Sequence, residues 1–370
     1  MQSKSIHIVS FNVPYPADYG GVIDVFYRIV ALSKAGVKIH LHCFQYGRER
    51  SDVLDTFCEE VIYYPRSLSL IYQFSKLPFI VKTRSNKLLL SNLVKDEYPI
   101  LFEGLHSCFF LNNPGLENRI KIVRSHNIEH EYYKGLAIKT SGWEEKIFFK
   151  TEAMKLKWFE KNLKHAGYIA AISETDVQYF QQHYGTTFLM PPNHPSDEVC
   201  IKAGRGEYIL YHGDLSVPEN IEAAMYILKE IVPDIAGKFV FAGRNPASEL
   251  ISAASKTDHV EIVTNPSHFE MQELIANAHI NLLPTFQATG FKLKLLNALF
   301  NGRFCVGSPE LVSGTGLDEA CSIAKTNADY RSAIKRLMDQ DFTDEMISKR
   351  KVLLKIFTNS KIIADLLALI

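Results

Sequence analysis

A chain of 370 residues exceeds what one hydrophobic core ordinarily serves, so two domains of ordinary size are expected. Its 46% hydrophobic and 22% charged residues describe a folded globular chain and exclude a disordered one. Lysine plus arginine and aspartate plus glutamate stand at 41 each, a balance that argues against coating nucleic acid or presenting a strongly basic surface overall.

In chain order, apolar or β-branched runs alternate with helical stretches. They are IHIVSF (6–11), GVKIHLHCF (36–44), VIYYP (61–65), PILFEG (99–104), IKIVRS (120–125) and GYIAAIS (167–173). In the second half they are YILYHG (208–213), KFVFAG (238–243), HVEIVT (259–264), INLLP (280–284) and RFCVG (303–307). Runs this apolar, separated by amphipathic helices, predict parallel strands covered on both faces, the doubly wound α/β pattern. The pattern pauses at PPNHPSDEVCIKAGRGEY, rich in proline, glycine and polar residues. The expected division is a first Rossmann-like domain over 1–192, completed by a C-terminal helix at 358–370, a linker over 193–207, and a second Rossmann-like domain over 208–357. Two such domains are expected to face each other across a cleft, because open α/β sheets bind ligands beyond the carboxyl ends of their strands. The six cysteines form no CxxC pair, and Cys43 and Cys305 sit in strand-like runs as buried thiols. The opening MQSKSIHIVSF has no leader-like apolar run and no run is as long as a membrane span, so a cytoplasmic protein is expected.

Several strand-to-helix turns carry residues suited to anions. Gly20 and Gly21 follow the first strand in PYPADYGGVIDVF; G-x-G-x-x-G is absent, which disfavours a nicotinamide enzyme. YHGDLSVPENIEA places Gly213 at a strand end with Pro218 in the first turn of the next helix, and FVFAGRNP places Arg244 just beyond another strand. In ATGFKLKLLNALFNG, Leu295, Leu296, Leu299 and Phe300 make an apolar stripe, while Lys294, Asn297 and Asn301 make a separate polar face. Cations are disfavoured at a helix start, so Lys292 and Lys294 there imply a bound anion. A helix beginning near Gly290 would offer the Gly290 and Phe291 amides, with Lys294, to a diphosphate. RSHNIEHEYY contains His126, Glu129 and His130 as H-x-x-E-H, the spacing of one zinc-peptidase class. Zinc needs both histidines on one face of a continuous helix, whereas His126 falls within two residues of a strand; it is better read as a cleft hydrogen-bonding or acid–base group, with helix capping as the structural alternative.

At these blocks the chain resembles a GT-B glycosyltransferase, family-4-like, of the retaining kind that uses a sugar nucleotide. The resemblance runs from PYPADYGG through RSHNIEHEYY and EAMKLKWFEKNLKHAGYIAAISETD to YHGDLSVPENIEA, FVFAGRNP and TGFKLKLLNALFNGRFCVGS. It implies that Gly20 and Gly21 approach the donor phosphate and that His126 hydrogen-bonds the transferred sugar and helps position the acceptor. It also matches Thr289 to Asn297 to the donor motif E-G-F-G-L-P-x-L-E, whose glutamates hold sugar and ribose hydroxyls. Both glutamates are replaced, by Thr289 and Asn297, and an amide binds a diol without charge. The basic residues that many relatives carry after the second domain's first strand are absent, and Asp214 and Glu219 stand there instead; Lys294, helped by Lys292 and Arg244, is the expected replacement cation.

The implied reaction moves a sugar from a nucleoside diphosphate sugar to a hydroxyl of a glycan or lipid-linked acceptor, in cell-surface glycan synthesis. No cofactor, essential metal or nucleic-acid partner is expected. The rival readings are a degenerate relative that binds nucleotide or glycan without turnover, a nucleotide-sugar epimerase, and the zinc peptidase. The aromatic-rich segment 67–90, with Lys76, Lys82, Arg84 and Lys87, is the expected place for a peripheral membrane contact at the inner face.

Overall fold

The computed structural model describes residues 4–287 and 290–370. They form two compact units, one of residues up to Asn193 together with Asn359–Ile370, the other of His194–Thr358.

Among the described residues, the first unit is built on strands β1 (Ser5–Ser10), β2 (Lys38–Gln45), β3 (Glu60–Pro65), β4 (Ile100–Glu103), β5 (Lys121–Arg124), β6 (Tyr168–Ala171) and β7 (Thr187–Leu189). All pair in parallel, in the order β3-β2-β1-β4-β5-β6-β7. The reversal of strand order beside β1 puts the loops after β1 and β4 next to each other, where such sheets open a crevice. One face of β1 is covered by the helix Gly20–Lys34, whose Val25, Ile29 and Leu32 are buried with Ile6 and Ile8. Gly36 stops that helix at φ +77, a conformation costly for any residue with a Cβ. The helix Asn359–Leu367 packs on Gly20–Lys34 and buries Ile362, Ile363 and Leu366 in the same core. Lys4 ties it down by donating from Nζ to the Leu367 and Ile370 carbonyls.

The second unit repeats the plan with β8 (Ile209–Asp214), β9 (Phe239–Arg244), β10 (Val260–Thr264), β11 (Ile280–Leu283), β12 (Phe304–Gly307) and β13 (Ser322–Ile323), parallel in the order β10-β9-β8-β11-β12-β13. Its core is anchored by the helix Leu293–Asn301, where Leu295, Leu296, Leu299 and Phe300 are fully buried. Each such side chain contributes about 1.5–3 kcal/mol of burial, and Leu299→Ala is the single change that most directly breaks this packing, at about 2–5 kcal/mol. The helix begins later than expected near Gly290. Gly290 has φ +70 and Lys292 is extended (φ −88, ψ 95), so the first helical residue is Leu293 and Lys292 is the N-cap.

Candidate active site

In the first unit, chemistry-bearing side chains gather at the carboxyl ends of β1, β4 and β5. Glu103 is the last residue of β4, Arg124 the last of β5, and His126 lies two residues beyond. Asp24 reaches them from the inward face of the helix Gly20–Lys34. Asp24 Oδ1 accepts from Arg28 Nη2 (2.6 Å) and from the Asn193 amide (2.7 Å). Its Oδ2 accepts from Arg124 Nε (3.0 Å) and Nη2 (2.9 Å). Arg28 Nη1 donates to Glu103 Oε1, and Glu103 Oε2 is hydrogen-bonded to His126 Nε2 at 3.1 Å. His126 Nδ1 lies 3.6 Å from Asp24 Oδ2.

His126 is thus held between two buried carboxylates, each backed by a buried guanidinium. Burial alone would raise the Asp24 carboxyl, but Arg124 and Arg28 outweigh it and hold the group well below the usual carboxylate range. Burial likewise raises Glu103, and Arg28 with the His126 hydrogen bond brings it back below its ordinary value. The network is balanced in charge and oriented by its own hydrogen bonds, a rigid mount for one imidazole. Phe11, next after β1, packs its ring edge-on to His126 at 5.5 Å and tilted against His106 at 5.5 Å. Gly104 links β4 to His106 at φ +71; a Cβ there would stand 2.8 Å from His106 Nδ1 and 3.5 Å from His126 Cδ2. Gly21 is needed for the same reason, since a Cβ would stand 2.9 Å from the Phe11 ring. Gly20, in contrast, has open space around it. No side chain caps the helix that these two glycines start.

His126, Glu129 and His130 do not converge. Glu129 opens the helix Glu129–Lys139, and His130 turns to Glu160 (3.1 Å) and Glu131 (3.0 Å), away from the carboxylates that hold His126. Among the described residues no group of three or more His, Cys, Asp or Glu is placed to hold a metal ion.

In the second unit, Gly213 and Gly243 face each other at the ends of β8 and β9. A Cβ on Gly243 would stand 1.8 Å from the Gly213 carbonyl oxygen, so only glycine permits this approach. The loop after β8 is neutralised locally. Arg244 Nη2 donates to Asp214 Oδ2 at 2.9 Å, and Lys292 Nζ lies 3.3 Å from Glu219 Oε1. Lys292 and Arg244, expected to assist Lys294, thus each face a carboxylate in the free protein. Asp214 and Glu219, which stand where many relatives carry basic residues, are each paired with a cation.

Lys294 differs. It is half-buried in the first turn of the helix Leu293–Asn301, donates from Nζ to Asn220 Oδ1 (3.2 Å), and lies 5.2 Å from the Tyr211 ring. Among the described residues it has no carboxylate at ion-pair distance. Burial pushes its pKa down to about 8, with Glu219 opposing and Lys292 reinforcing. The adjacent His212 is buried, which presses its imidazole down to about 3, helped by Lys294; its Nε2 has no hydrogen-bond partner among the described residues. Because the helix starts at Leu293, its uncapped first-turn amides belong to Leu293 and its neighbours; Gly290 and the half-buried Phe291 precede it. Asn297 is half-exposed one turn beyond Lys294, whereas Asn301 turns inward to Ser196 Oγ (2.9 Å) and the Asn297 carbonyl (3.0 Å). Thr289 lies outside the described residues.

The residues that sequence reading overlooked are Asp24, Glu103, Arg124 and Asn220. Asp24 and Glu103 could have been noticed as lone carboxylates within apolar runs, GGVIDVFYRIV and PILFEG. Their pairing could not, since Asp24 and Arg124 are 100 residues apart.

Two units, each a doubly wound parallel sheet with its polar side chains at the strand carboxyl ends, are the architecture of the GT-B glycosyltransferases. Residues 206–340 match the family model described as Glycosyl transferases group 1, and the two-unit arrangement of parallel sheets is the GT-B fold. A curated relative from Klebsiella pneumoniae, an uncharacterized 44.6 kDa protein in the cps region, is 26% identical over 341 residues, 87% of each chain. Among solved structures, Anabaena HepE in complex with UDP aligns with a TM-score of 0.67 at 11% identity, over 99% of this chain and 100% of that one. The pneumococcal O-GlcNAc transferase GtfA, in complex with UDP and GlcNAc, aligns at 0.63 and 8% identity, over 99% and 98%. The lipopolysaccharide outer core galactosyltransferase WaaB aligns at 0.63 and 14%, over 99% and 98%. These likenesses are of fold.

Proposed function

We propose that the protein transfers a sugar from a nucleoside diphosphate sugar to a hydroxyl of a glycan or lipid-linked acceptor, with retention at the anomeric carbon, in the making of a cell-surface polysaccharide. The observation that carries the reading is Lys294. It is a half-buried ammonium with no carboxylate partner among the described residues, at the uncapped start of a helix and beside paired strand-end glycines. Burying a cation there is unfavourable unless an anion completes the site. As the bond between the anomeric carbon and the diphosphate breaks, negative charge grows on the leaving oxygen; Lys294 and the first-turn amides stabilise it, the kind of preorganised electrostatics that dominates such steps. Gly213 lets the backbone approach the donor, and Asn297 meets the ribose as an uncharged partner. In the first unit, the Gly20–Gly21 turn serves the donor phosphate, and the carboxylate-mounted His126 serves the sugar and acceptor. The UDP in the solved neighbours makes a uridine nucleotide the first to try, and the cps region of the curated relative supports a polysaccharide product.

The test is incubation with UDP- and GDP-sugars, measuring release of nucleoside diphosphate and, by proton NMR, the anomeric configuration of the product. Release from one donor, lost in Lys294→Ala and His126→Ala, is expected. Nucleotide binding with no release from any donor or acceptor would favour the degenerate relative, which the missing carboxylate at Asn297 motivates.

A peripheral membrane contact belongs to the same reading, at a surface that joins exposed Leu70, Ile71 and Phe74 of the expected segment 67–90 to a neighbouring helix. Arg84, expected to face lipid, is only 4% exposed. The helix Trp143–Phe159 instead presents Trp143, Ile147, Met154 and Trp158 to solvent along one stripe, flanked by exposed Lys146, Lys150, Lys157 and Lys161. Lys155 Nζ donates to the Gln73 carbonyl (2.6 Å), placing exposed Ile71 and Phe74 beside that helix. Apolar and aromatic side chains flanked by four lysines, against Glu144 and Glu145 at the helix start, suit a surface of anionic lipid. No helix among the described residues is long and apolar enough to cross a membrane.

A further inference from the structure

The first unit carries two kinds of arginine. Arg28 and Arg124 lie in the balanced network under His126, each facing a carboxylate. Arg66, just after β3, and Arg84 have no carboxylate at ion-pair distance among the described residues. Arg84 is buried, donating from Nε to the Phe11 carbonyl (2.9 Å) and from Nη1 to the Ile80 carbonyl (2.5 Å). Arg66 Nε donates to Thr83 Oγ1 at 3.0 Å, next to Arg84 in the chain, and its guanidinium lies 4.4 Å from the Tyr46 ring centre. Burial lowers the pKa of Arg84, and Arg66 is close enough to press it down further; burial also lowers Arg66, with Tyr46 and Tyr133 opposing. A buried guanidinium bonded only to neutral oxygens is costly unless a counter-charge arrives.

The nearby acids do not supply it. Glu129 is the carboxyl whose charge acts on Arg84, and burial, reinforced by Glu160 and opposed by Arg84, raises it to about 8, which disfavours its charged form at neutral pH. His106 Nδ1 is buried without a hydrogen-bond partner, 3.9 Å from Glu129 Oε1. Burial, then Arg84, His126 and Arg66, hold the His106 imidazole neutral. Phe11 joins this group to the site of His126: Arg84 holds its carbonyl, and its ring touches both histidines.

We infer that Arg66 and Arg84, with His106, form an anion subsite in the first unit that receives a phosphate-bearing group of the acceptor. Two guanidiniums match a dianionic phosphate or a diphosphate in charge, and their planar forks match its oxygens. Tyr46 under Arg66 and Tyr133 near Arg84 supply an aromatic wall, so the subsite admits either a lipid diphosphate or a phosphorylated glycan. The inference rests on the glycosyltransferase reading above, in which the donor diphosphate belongs to Lys294 of the second unit.

The test separates the two units by working in Lys294→Ala, which removes the proposed donor-side cation. Inorganic pyrophosphate, farnesyl diphosphate and glucose 1-phosphate are titrated calorimetrically into that protein and into the same protein carrying Arg66→Gln. Arg66 is half-exposed, so the added change is expected to leave the fold intact, with circular dichroism as the check and Arg84→Lys as a second variant. Binding that persists in Lys294→Ala and weakens tenfold or more with Arg66→Gln is the expected result. Farnesyl diphosphate binding more tightly than pyrophosphate would identify a lipid-linked acceptor; glucose 1-phosphate binding as tightly as either would identify a phosphorylated glycan. Absence of binding in Lys294→Ala, or binding unmoved by both Arg66→Gln and Arg84→Lys, would overturn the subsite. UDP titrated into the Arg66→Gln protein with Lys294 intact reports on the donor site separately, so failure of one reading is not mistaken for failure of the other.

Discussion

Replacing Lys294 by methionine keeps a side chain of similar length and removes the ammonium. In the free protein, burial lowers the Lys294 pKa from 10.5 to about 8. At about 1.4 kcal/mol per pH unit, holding the charged form in the fold costs about 3 kcal/mol at neutral pH. The variant also loses the hydrogen bond to Asn220 and the contact with the Tyr211 ring, together worth about 1–2 kcal/mol. The balance predicts that Lys294→Met stabilises the free protein by about 1–2 kcal/mol at pH 7, raising Tm by a few degrees. The sign of the pH dependence is fixed by the lowered pKa. The penalty is complete below about pH 8 and fades as pH rises toward 10.5, so the wild type gains on the variant across that window. Calorimetric unfolding at pH 7 and pH 10 checks this: the variant should be the more stable at pH 7 and should lose that advantage at pH 10. A stabilised protein that no longer binds nucleotide is the expected signature of a site that trades stability for function. Equal destabilisation of Lys294→Met at both pH values would refute the reasoning.

Asp24→Asn withdraws the charge facing Arg28 and Arg124 in a fully buried network and should cost about 3–5 kcal/mol in urea unfolding at pH 7. Because the Asp24 carboxyl sits below its ordinary value when folded, its contribution is present above about pH 4 and lost on acidification, so the deficit of the variant should narrow in acid. Gly104→Ala forces a Cβ to within 2.8 Å of His106 Nδ1 at positive φ; a loss of about 1–2 kcal/mol and a more than tenfold fall in transfer rate should appear with nucleotide affinity unchanged. The protein should co-sediment with vesicles rich in anionic lipid and less so at high salt. Trp143→Ser with Trp158→Ser should abolish that sedimentation, while charge reversal at the buried Arg84 would report on folding instead.

Much of the fold was visible in the residues because parallel strands covered on both faces must be apolar throughout. Among the described residues, eleven of the thirteen strands coincide with the apolar runs, and the exceptions, Thr187–Leu189 and Ser322–Ile323, are short edge strands with too few residues to show a pattern. The late start of the helix Leu293–Asn301 was not visible, because the extended conformation of Lys292 comes from the turn before it rather than from lysine itself. His126 stood out by its place after a strand. The carboxylates that mount it did not, since their partners are set by which strands become neighbours. Lys292 and Lys294 both read as first-turn residues, and the late helix start separates them: Lys292, at the N-cap, meets Glu219, and Lys294, in the first turn, meets Asn220 and Tyr211.

The central claim, that the second unit holds a nucleotide diphosphate at Lys294, is tested most directly by a crystal structure of the protein with UDP or GDP. Diphosphate oxygens are expected within hydrogen-bond distance of Lys294 Nζ and of the first-turn amides of Leu293–Asn301, with the Asp214–Arg244 pair intact. A diphosphate bound instead to Arg244, with Lys294 still on Asn220, would contradict it.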